Sequence, residues 1–96
     1  MQLEQLEIFV AVARCGSFSA AAKQLYISHS STSRAVSALE DELGVRLFCR
    51  GNRVNGLTAA GETLLEEAVK LLDAAEAAKK RVKAAAEREN SGEKET

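Results

Sequence analysis

The chain has 96 residues, with 13 basic and 14 acidic side chains and a formal net charge of −1. This length predicts one small domain with a modest core, and the near-neutral charge argues against indiscriminate binding to nucleic acid. No run approaches the roughly 20 apolar residues of a membrane span, and the N-terminus lacks the basic and apolar regions of a signal peptide. Cys15, Cys49 and the single His29 show no metal-ligand spacing. We therefore expect free thiols in a reducing cytoplasm and no cofactor.

Two helices are predicted before residue 28. Apolar residues recur at helical spacing over residues 3–14 and lie on two sides of that helix, which implies contact with two layers. Gly16 is suited to end it. Ser19 is predicted to cap a second helix over residues 20–25. So short a helix is unstable alone, so it must pack against its neighbours.

A third helix is predicted between an N-terminal cap at Ser28 and a C-terminal glycine at Gly44. Its inner stripe repeats at steps of four, three and four, and consists of Thr32, Val36, Leu39 and Leu43. The opposite face is small, hydroxylated and contains one arginine, and consists of Ser30, Ser33, Arg34 and Ser37.

That polar face fits two interpretations, a solvated surface or a surface that approaches a polyanion and reads base edges. The first 58 residues carry a net charge of +1 and the rest −2, and Glu40, Asp41 and Glu42 lie at the far end of the third helix. Any polyanion should therefore meet its N-terminal half, where the helix dipole also helps. A short helix, a turn and a longer helix with a polar face form the helix-turn-helix arrangement, although alanine-rich helix pairs also occur in ordinary bundles.

A short β-hairpin is predicted after the third helix. Residues 45–50 resemble one strand and residues 54–58 a returning strand, with turn-forming residues at Gly51-Asn52. Arg50 and Arg53 flank the turn. Beside a helix-turn-helix, such a hairpin would be a wing whose arginines reach backbone phosphates or a minor groove. The alternative is a hairpin that only aids solubility.

A long helix capped by Thr58 is predicted for the rest of the chain. Apolar residues at alternate steps of four and three form a heptad seam of Leu64, Ala68, Leu71, Ala75, Ala78, Val82 and Ala85. A second stripe beside it consists of Leu65, Val69 and Leu72. We expect the second stripe to pack on the first helix and the seam to pair with its copy in a second chain. Residues 89–96 are charged and poor in apolar side chains, and are predicted to be a disordered tail.

Four motifs occur in order along the chain: GSFSAAAKQL, the pair Ser33-Arg34, the run over residues 39–48, and LTAAG at residues 57–61. Over residues 1–88 they resemble the N-terminal domain of LysR-type transcriptional regulators. The resemblance implies a mainly α fold, a winged helix-turn-helix of three helices and a short β-hairpin, followed by a long dimerisation helix. It implies DNA contacts at His29, Ser30, Ser31, Ser33 and Arg34, with Arg50 and Arg53 in the wing, and we add Ser37 from the polar face.

Two positions depart from the family pattern. The family often has Gln-Pro where this chain has His29-Ser30, which puts its usual base preference in doubt here. It commonly has leucine at the position of Thr32. A hydroxyl there must be buried or bond back to a carbonyl, so we expect a slightly weaker core.

We therefore predict a winged helix-turn-helix over residues 1–58, a linker and dimerisation helix over 59–88, and the tail. The expected partner is double-stranded DNA, bound by a homodimer at an interrupted inverted repeat, in the cytoplasm at the nucleoid. With the family's effector domain absent from these residues, we expect no small-molecule ligand, and we expect no membrane partner.

The alternative function is a protein-interaction module, in which a winged helix docks a partner and the long helix is a coiled-coil handle. The arginines at positions 34, 50 and 53 favour DNA, because a docking face would more often expose aromatic or aliphatic side chains. Enzymatic activity is not expected, because the sequence offers neither a nucleophile–base pair nor a glycine-rich phosphate loop.

Overall fold

Four helices form the fold in the computed structural model, which describes residues 1–49 and 56–95. They are α1 (Leu3–Cys15), α2 (Phe18–Leu25), α3 (His29–Leu43) and α4 (Ala59–Glu95). Helix α1 contacts each of the other three, and α2 and α3 contact each other. The prediction of a mainly α fold that ends in a long helix is confirmed.

Helix α1 lies at the centre because it is apolar on two sides. Six of the seven residues from 6 to 12 are buried, namely Leu6, Ile8, Phe9, Val10, Ala11 and Val12. The Phe9 ring packs against Phe48, with ring centroids 5.5 Å apart. This confirms the predicted contact with two layers, and burial of this apolar surface is the main force that holds the helices together.

The helix ends follow local chemistry. Gly16 and Gly44 end α1 and α3 in the left-handed conformation, at φ 71° and 69°, and the Ser28 hydroxyl accepts a hydrogen bond from the Ser31 N–H at 3.0 Å. The predicted cap at Ser19 is wrong. Ser17 caps α2 instead, accepting from the Ala20 N–H at 3.2 Å, and the helix begins at Phe18, whose ring packs edge-on against Phe48 at 5.8 Å.

The inner stripe of α3 is buried at Thr32, Val36 and Leu39, as predicted. Leu43 is 41% exposed, however, because it lies in the last turn of the helix, before the chain turns at Gly44. The buried Thr32 hydroxyl donates to the Ser28 carbonyl at 3.0 Å. This back-bond satisfies the hydroxyl, so its burial carries no unpaired polar group.

The base of a hairpin follows α3. Phe48 and Leu57 form an antiparallel bridge, the Cys49 N–H donates to the Gly56 carbonyl, and the Thr58 N–H donates to the Leu47 carbonyl, each at 3.0 Å. Among the described residues, the pairing does not extend beyond this bridge into a strand. One reason is that the Leu47 N–H donates to the Glu40 carboxylate at 2.8 Å instead of to a neighbouring strand. The predicted tip, with Arg50 and Arg53, lies outside the described residues.

Helix α4 begins where predicted, because the Thr58 hydroxyl accepts from the Gly61 N–H at 3.0 Å. The helix extends to Glu95 and so continues past residue 88, into the segment for which a disordered tail was predicted. Glu, Lys and Arg are good helix formers, and a single internal glycine costs only about 1 kcal/mol. No helix in the described part of the chain is long and apolar enough to cross a membrane.

Gly61 fixes the approach of α4 to the hairpin base. A Cβ atom at this position would overlap the Leu47 carbonyl oxygen and crowd the Leu57 side chain. Gly→Ala in a helix ordinarily stabilises by about 1 kcal/mol. At Gly61 we expect the opposite sign, a loss of about 1–3 kcal/mol in the free energy of unfolding, since the clash is with backbone.

Urea denaturation measures this effect. Ala38→Gly, at an exposed position of α3, is the control and should cost about 1 kcal/mol from helix propensity alone. A Gly61→Ala chain as stable as the parent would show that the two segments are free to separate.

Candidate nucleic-acid interface

The polar face of α3 is open to solvent. His29, Ser30, Arg34 and Ser37 are exposed, and Ser31 and Ser33 are half-buried. The buried stripe of Thr32, Val36 and Leu39 holds the opposite side of the helix in the core. Packing therefore fixes the rotation of α3 and presents six of the eight residues predicted to contact DNA.

The first turn of α3 carries a linked set of hydroxyls. The Ser28 hydroxyl donates to the Ser31 hydroxyl at 2.9 Å and lies 3.2 Å from the Ser30 hydroxyl. The Arg34 Nη2 donates to the Ser31 hydroxyl at 3.5 Å, at the long limit for a hydrogen bond. Arg34 is thus tethered weakly, and most of its five N–H donors remain available for a ligand.

The predicted residues divide between two flanks of α3. Ser31 and Arg34 line a groove between α3 and the start of α1, where Gln2 and Gln5 form the other wall. Ser33 and Ser37 line a second groove beside Phe18 and Phe48. The helix is a ridge between the two, a shape that fits the major groove of B-DNA.

His29 belongs to the second flank. Its ring lies 6.2 Å from the Phe18 ring, centroid to centroid, in a tilted arrangement. This contact steadies the imidazole at the N-terminal end of α3 while leaving it exposed. Hydrogen-bonding atoms of the ring are therefore presented beside the hydroxyls of the first turn.

One basic residue of this face was missed in the sequence. Arg46 is exposed and lines the same groove as Ser33 and Ser37. Its backbone is held because its carbonyl accepts from the Thr58 hydroxyl at 2.6 Å. The only signal in the sequence was an arginine shortly after the end of α3, which does not reveal that the chain turns back toward the serines.

The chain from residue 8 to residue 39 carries no acidic side chain, although Glu4 lines the groove beside Arg34 and Glu40 lines the groove beside Ser33 and Ser37. No acidic residue occurs between Glu7 and Glu40, whereas Arg14, Lys23 and Arg34 lie in that interval. Among the described residues, no group of three or more His, Cys, Asp or Glu is placed to hold a metal ion. The basic side chains of residues 8–39, with no acid among them, favour an anionic ligand bound through hydrogen bonds and charge.

The predicted dimerisation seam on α4 is partly covered by the chain itself. Leu64 is 8% exposed and Ala68 is fully buried, so these two residues belong to the core of the chain and the prediction of an interface role for them is corrected. The heptad spacing alone did not show that α1 covers the first turns of both stripes. Leu65, Val69 and Leu72 also pack against this core, as predicted.

The rest of the seam is open. Leu71 is 43% and Val82 68% exposed, Ala75 is half-buried, and Ala78 and Ala85 are exposed. Every residue from 78 to 89 is exposed. The structure therefore leaves an apolar strip from Leu71 to Ala85 without an intramolecular partner in the described residues.

Comparison with protein families gives a match over residues 3–62 to the family described as "Bacterial regulatory helix-turn-helix protein, lysR family". Among curated proteins, the chain is 47% identical over 85 residues to the HTH-type transcriptional regulator ClcR of Pseudomonas putida, covering 88% of this chain and 29% of ClcR. It is 43% identical over 93 residues to the regulator TfdT of Cupriavidus pinatubonensis (strain JMP 134 / LMG 1197), covering 97% of this chain and 40% of TfdT. The chain thus spans well under half the length of these relatives.

Solved structures of similar sequence also share the fold of this chain. The structure titled "Crystal structure of CbnR_DBD-DNA complex" superposes with a TM-score of 0.85 at 44% identity, over 90% of this chain and 99% of that one. The structure titled "Crystal Structure of BenM_DBD/catB site 1 DNA Complex" superposes with a TM-score of 0.83 at 37% identity, over 88% of this chain and 93% of that one. Sequence and fold agree, and the chain belongs to the lysR family of bacterial regulatory helix-turn-helix proteins.

Proposed function

We propose that this chain is a DNA-binding module that recognises duplex DNA by sequence, with α3 in the major groove. The observation that carries the proposal is the exposed face of hydroxyls and one arginine on α3. This face stands on a fold that relatives of 37% and 44% identity share, and those relatives were solved as DNA complexes. The N-terminal residues of a recognition helix are the ones that reach base edges.

Each polar residue of α3 has a role under this proposal. Arg34 donates two parallel hydrogen bonds to guanine O6 and N7, the commonest specific contact in the major groove. His29 and Ser30 meet base edges or phosphates at the entry of the helix. The hydroxyls of Ser31, Ser33 and Ser37 donate to phosphates and bases along the two flanks.

Basic residues outside α3 hold the backbone of the DNA. Arg46, beside Ser33 and Ser37, supplies a cation toward a phosphate. Arg50 and Arg53 are proposed to contact phosphates or a minor groove from the wing, in positions that lie outside the described residues. Such contacts position the protein without reading sequence.

We further propose that two chains pair through the open strip on α4, namely Leu71, Ala75, Ala78, Val82 and Ala85. Alanines in the strip allow the two helix axes to approach closely. A two-fold axis there repeats α3 at a second half-site, so the preferred DNA is an interrupted inverted repeat.

At the level of the cell, we propose that the chain serves a bacterial transcription regulator in the cytoplasm, at the nucleoid. Its relatives ClcR and TfdT are named as transcriptional regulators. The proposed role is binding without catalysis, in which the chain locates a site on DNA.

Selection from a pool of randomised duplexes, followed by an electrophoretic shift of the selected sequence, tests this function. We expect an interrupted inverted repeat whose half-sites are separated by about one helical turn or a multiple of it. A single half-site should bind far more weakly. A pool that is not enriched after repeated rounds would contradict the proposal and favour the protein-interaction alternative.

A further inference from the structure

Tyr26 is an exposed aromatic in a left-handed backbone conformation. Its side chain is 95% exposed, and its φ of 57° makes it the one non-glycine residue with positive φ among those described. It ends α2, and its N–H is bonded to the Ala22 and Lys23 carbonyls. It therefore occupies the turn of the helix-turn-helix, between α2 and the cap of α3 at Ser28.

Folding does not require tyrosine at this position. The left-handed conformation disfavours a bulky residue, and glycine or asparagine would adopt it with less strain. The hydrogen bonds that close the turn come from the backbone, so either residue would make them too. The ring buries almost no area, so it contributes nothing to the core. A strained residue whose side chain makes no contribution to folding points to a role in binding.

The turn fixes the backbone that carries the ring. The Ile27 N–H donates to the Ala22 carbonyl at 3.0 Å, and Leu25 and Ile27 on either side pack against the core. A tyrosine side chain has only two rotatable bonds, so little conformational entropy is lost when it makes a contact. The phenol is therefore presented on a rigid support at the entry to α3.

Charge around the turn favours an anionic partner over a protein surface. Lys23 is exposed and lies three residues before Tyr26, and its carbonyl accepts from the Tyr26 N–H at 3.3 Å. The interval from Glu7 to Glu40 holds this lysine, Arg14 and Arg34, and no acid. A neutral hydroxyl donor three residues from a lysine in the sequence, with no carboxylate in this stretch of chain, matches the phosphates that border the major groove.

We infer that the Tyr26 hydroxyl donates a hydrogen bond to a DNA backbone phosphate at the edge of the groove that α3 enters, with Lys23 supplying charge to the same strand. The inference rests on the proposed function and adds a positioning contact outside α3. It is a contact to phosphate, so it sets the depth and register of α3 without selecting a base.

The two residues should differ in their dependence on salt. Tyr26 is neutral, so losing its hydroxyl releases no additional counterion and leaves the slope of log affinity against log salt unchanged. Losing the Lys23 charge should reduce that slope by roughly 0.9 for each phosphate contact. Loss of the Tyr26 hydroxyl or of the Lys23 charge should weaken binding to the selected duplex and to unrelated DNA by the same factor.

The test compares Tyr26→Phe, Tyr26→Asn and Lys23→Gln with the parent chain. The probes are the inverted-repeat duplex that the parent selects and an unrelated duplex of equal length. We expect Tyr26→Phe to weaken binding to both duplexes by about 5–30-fold, at an unchanged salt slope. Tyr26→Asn should bind as weakly as Tyr26→Phe and yet unfold at a higher temperature, because asparagine tolerates the left-handed conformation.

Three results separate the possibilities. If Tyr26→Phe binds both duplexes as the parent does, the inference is overturned, and the ring is left for a protein partner. If only the selected duplex is affected, Tyr26 reads a base and the phosphate assignment is wrong. If the parent itself selects no duplex, the proposed function has failed, and the contact made by Tyr26 fails with it.

Discussion

Replacing Leu71 with glutamate should convert the proposed dimer into monomers. Leu71 is 43% exposed and begins the open part of the seam, so its side chain is free to contact the second chain. Glutamate there would place a carboxylate beside its symmetry mate in an apolar interface, where an unpaired charge is strongly unfavourable. The fold should survive, because the exposed side chain contributes little to the core of a single chain.

Sedimentation of the Leu71→Glu chain measures the effect. The control is Lys80→Glu, an exposed position of α4 that the heptad spacing places opposite the seam. It changes charge in the same direction and should leave the dimer intact. Loss of the second half-site should also weaken binding to the inverted repeat by about 10²–10⁴-fold, since the second contact is no longer intramolecular. A Leu71→Glu chain that sediments as a dimer would place the interface elsewhere.

Features of the fold that depend on neighbouring residues in the chain were predictable from sequence. Gly16, Gly44 and Ser28 end or begin helices through contacts made within a few residues. The choice between Ser17 and Ser19 as the cap of α2 was not local. Either serine has the required hydroxyl, and the packing of the Phe18 ring on Phe48, which is distant in sequence, accompanies the earlier start.

Features that depend on how distant parts of the chain pack against each other were less predictable. Periodicity identified the outer face of α3 because a helix buried on one side must expose the other. The same reasoning on α4 found two apolar stripes without showing that Leu64 and Ala68 are buried within the chain. Arg46 and Tyr26 were missed because their importance depends on the turn back after α3 and on a left-handed backbone angle. Neither property leaves a pattern in a single sequence.

Arg34→Ala should cause the largest loss of sequence discrimination of any single change on α3. Arg34 is exposed, its one side-chain hydrogen bond among the described residues is long, at 3.5 Å, and it is the only arginine or lysine between Lys23 and Arg46. Loss of a bidentate contact to guanine costs on the order of 1–3 kcal/mol for each half-site. A dimer carries two copies, so binding to the inverted repeat should weaken by roughly twice that amount. Thermal stability should barely change.

Arg34→Lys separates reading of a base from attraction to phosphate. Lysine keeps the charge and loses the planar pair of donors, so binding to unrelated DNA and its salt slope should match the parent. Affinity for the selected repeat should fall toward that of Arg34→Ala. Shift assays with both duplexes across a range of salt concentrations measure the affinity for each duplex and its salt slope. If the lysine variant keeps the parent's preference for the selected repeat, Arg34 acts as a charge on the backbone, and base recognition by α3 must come from His29 and the serines.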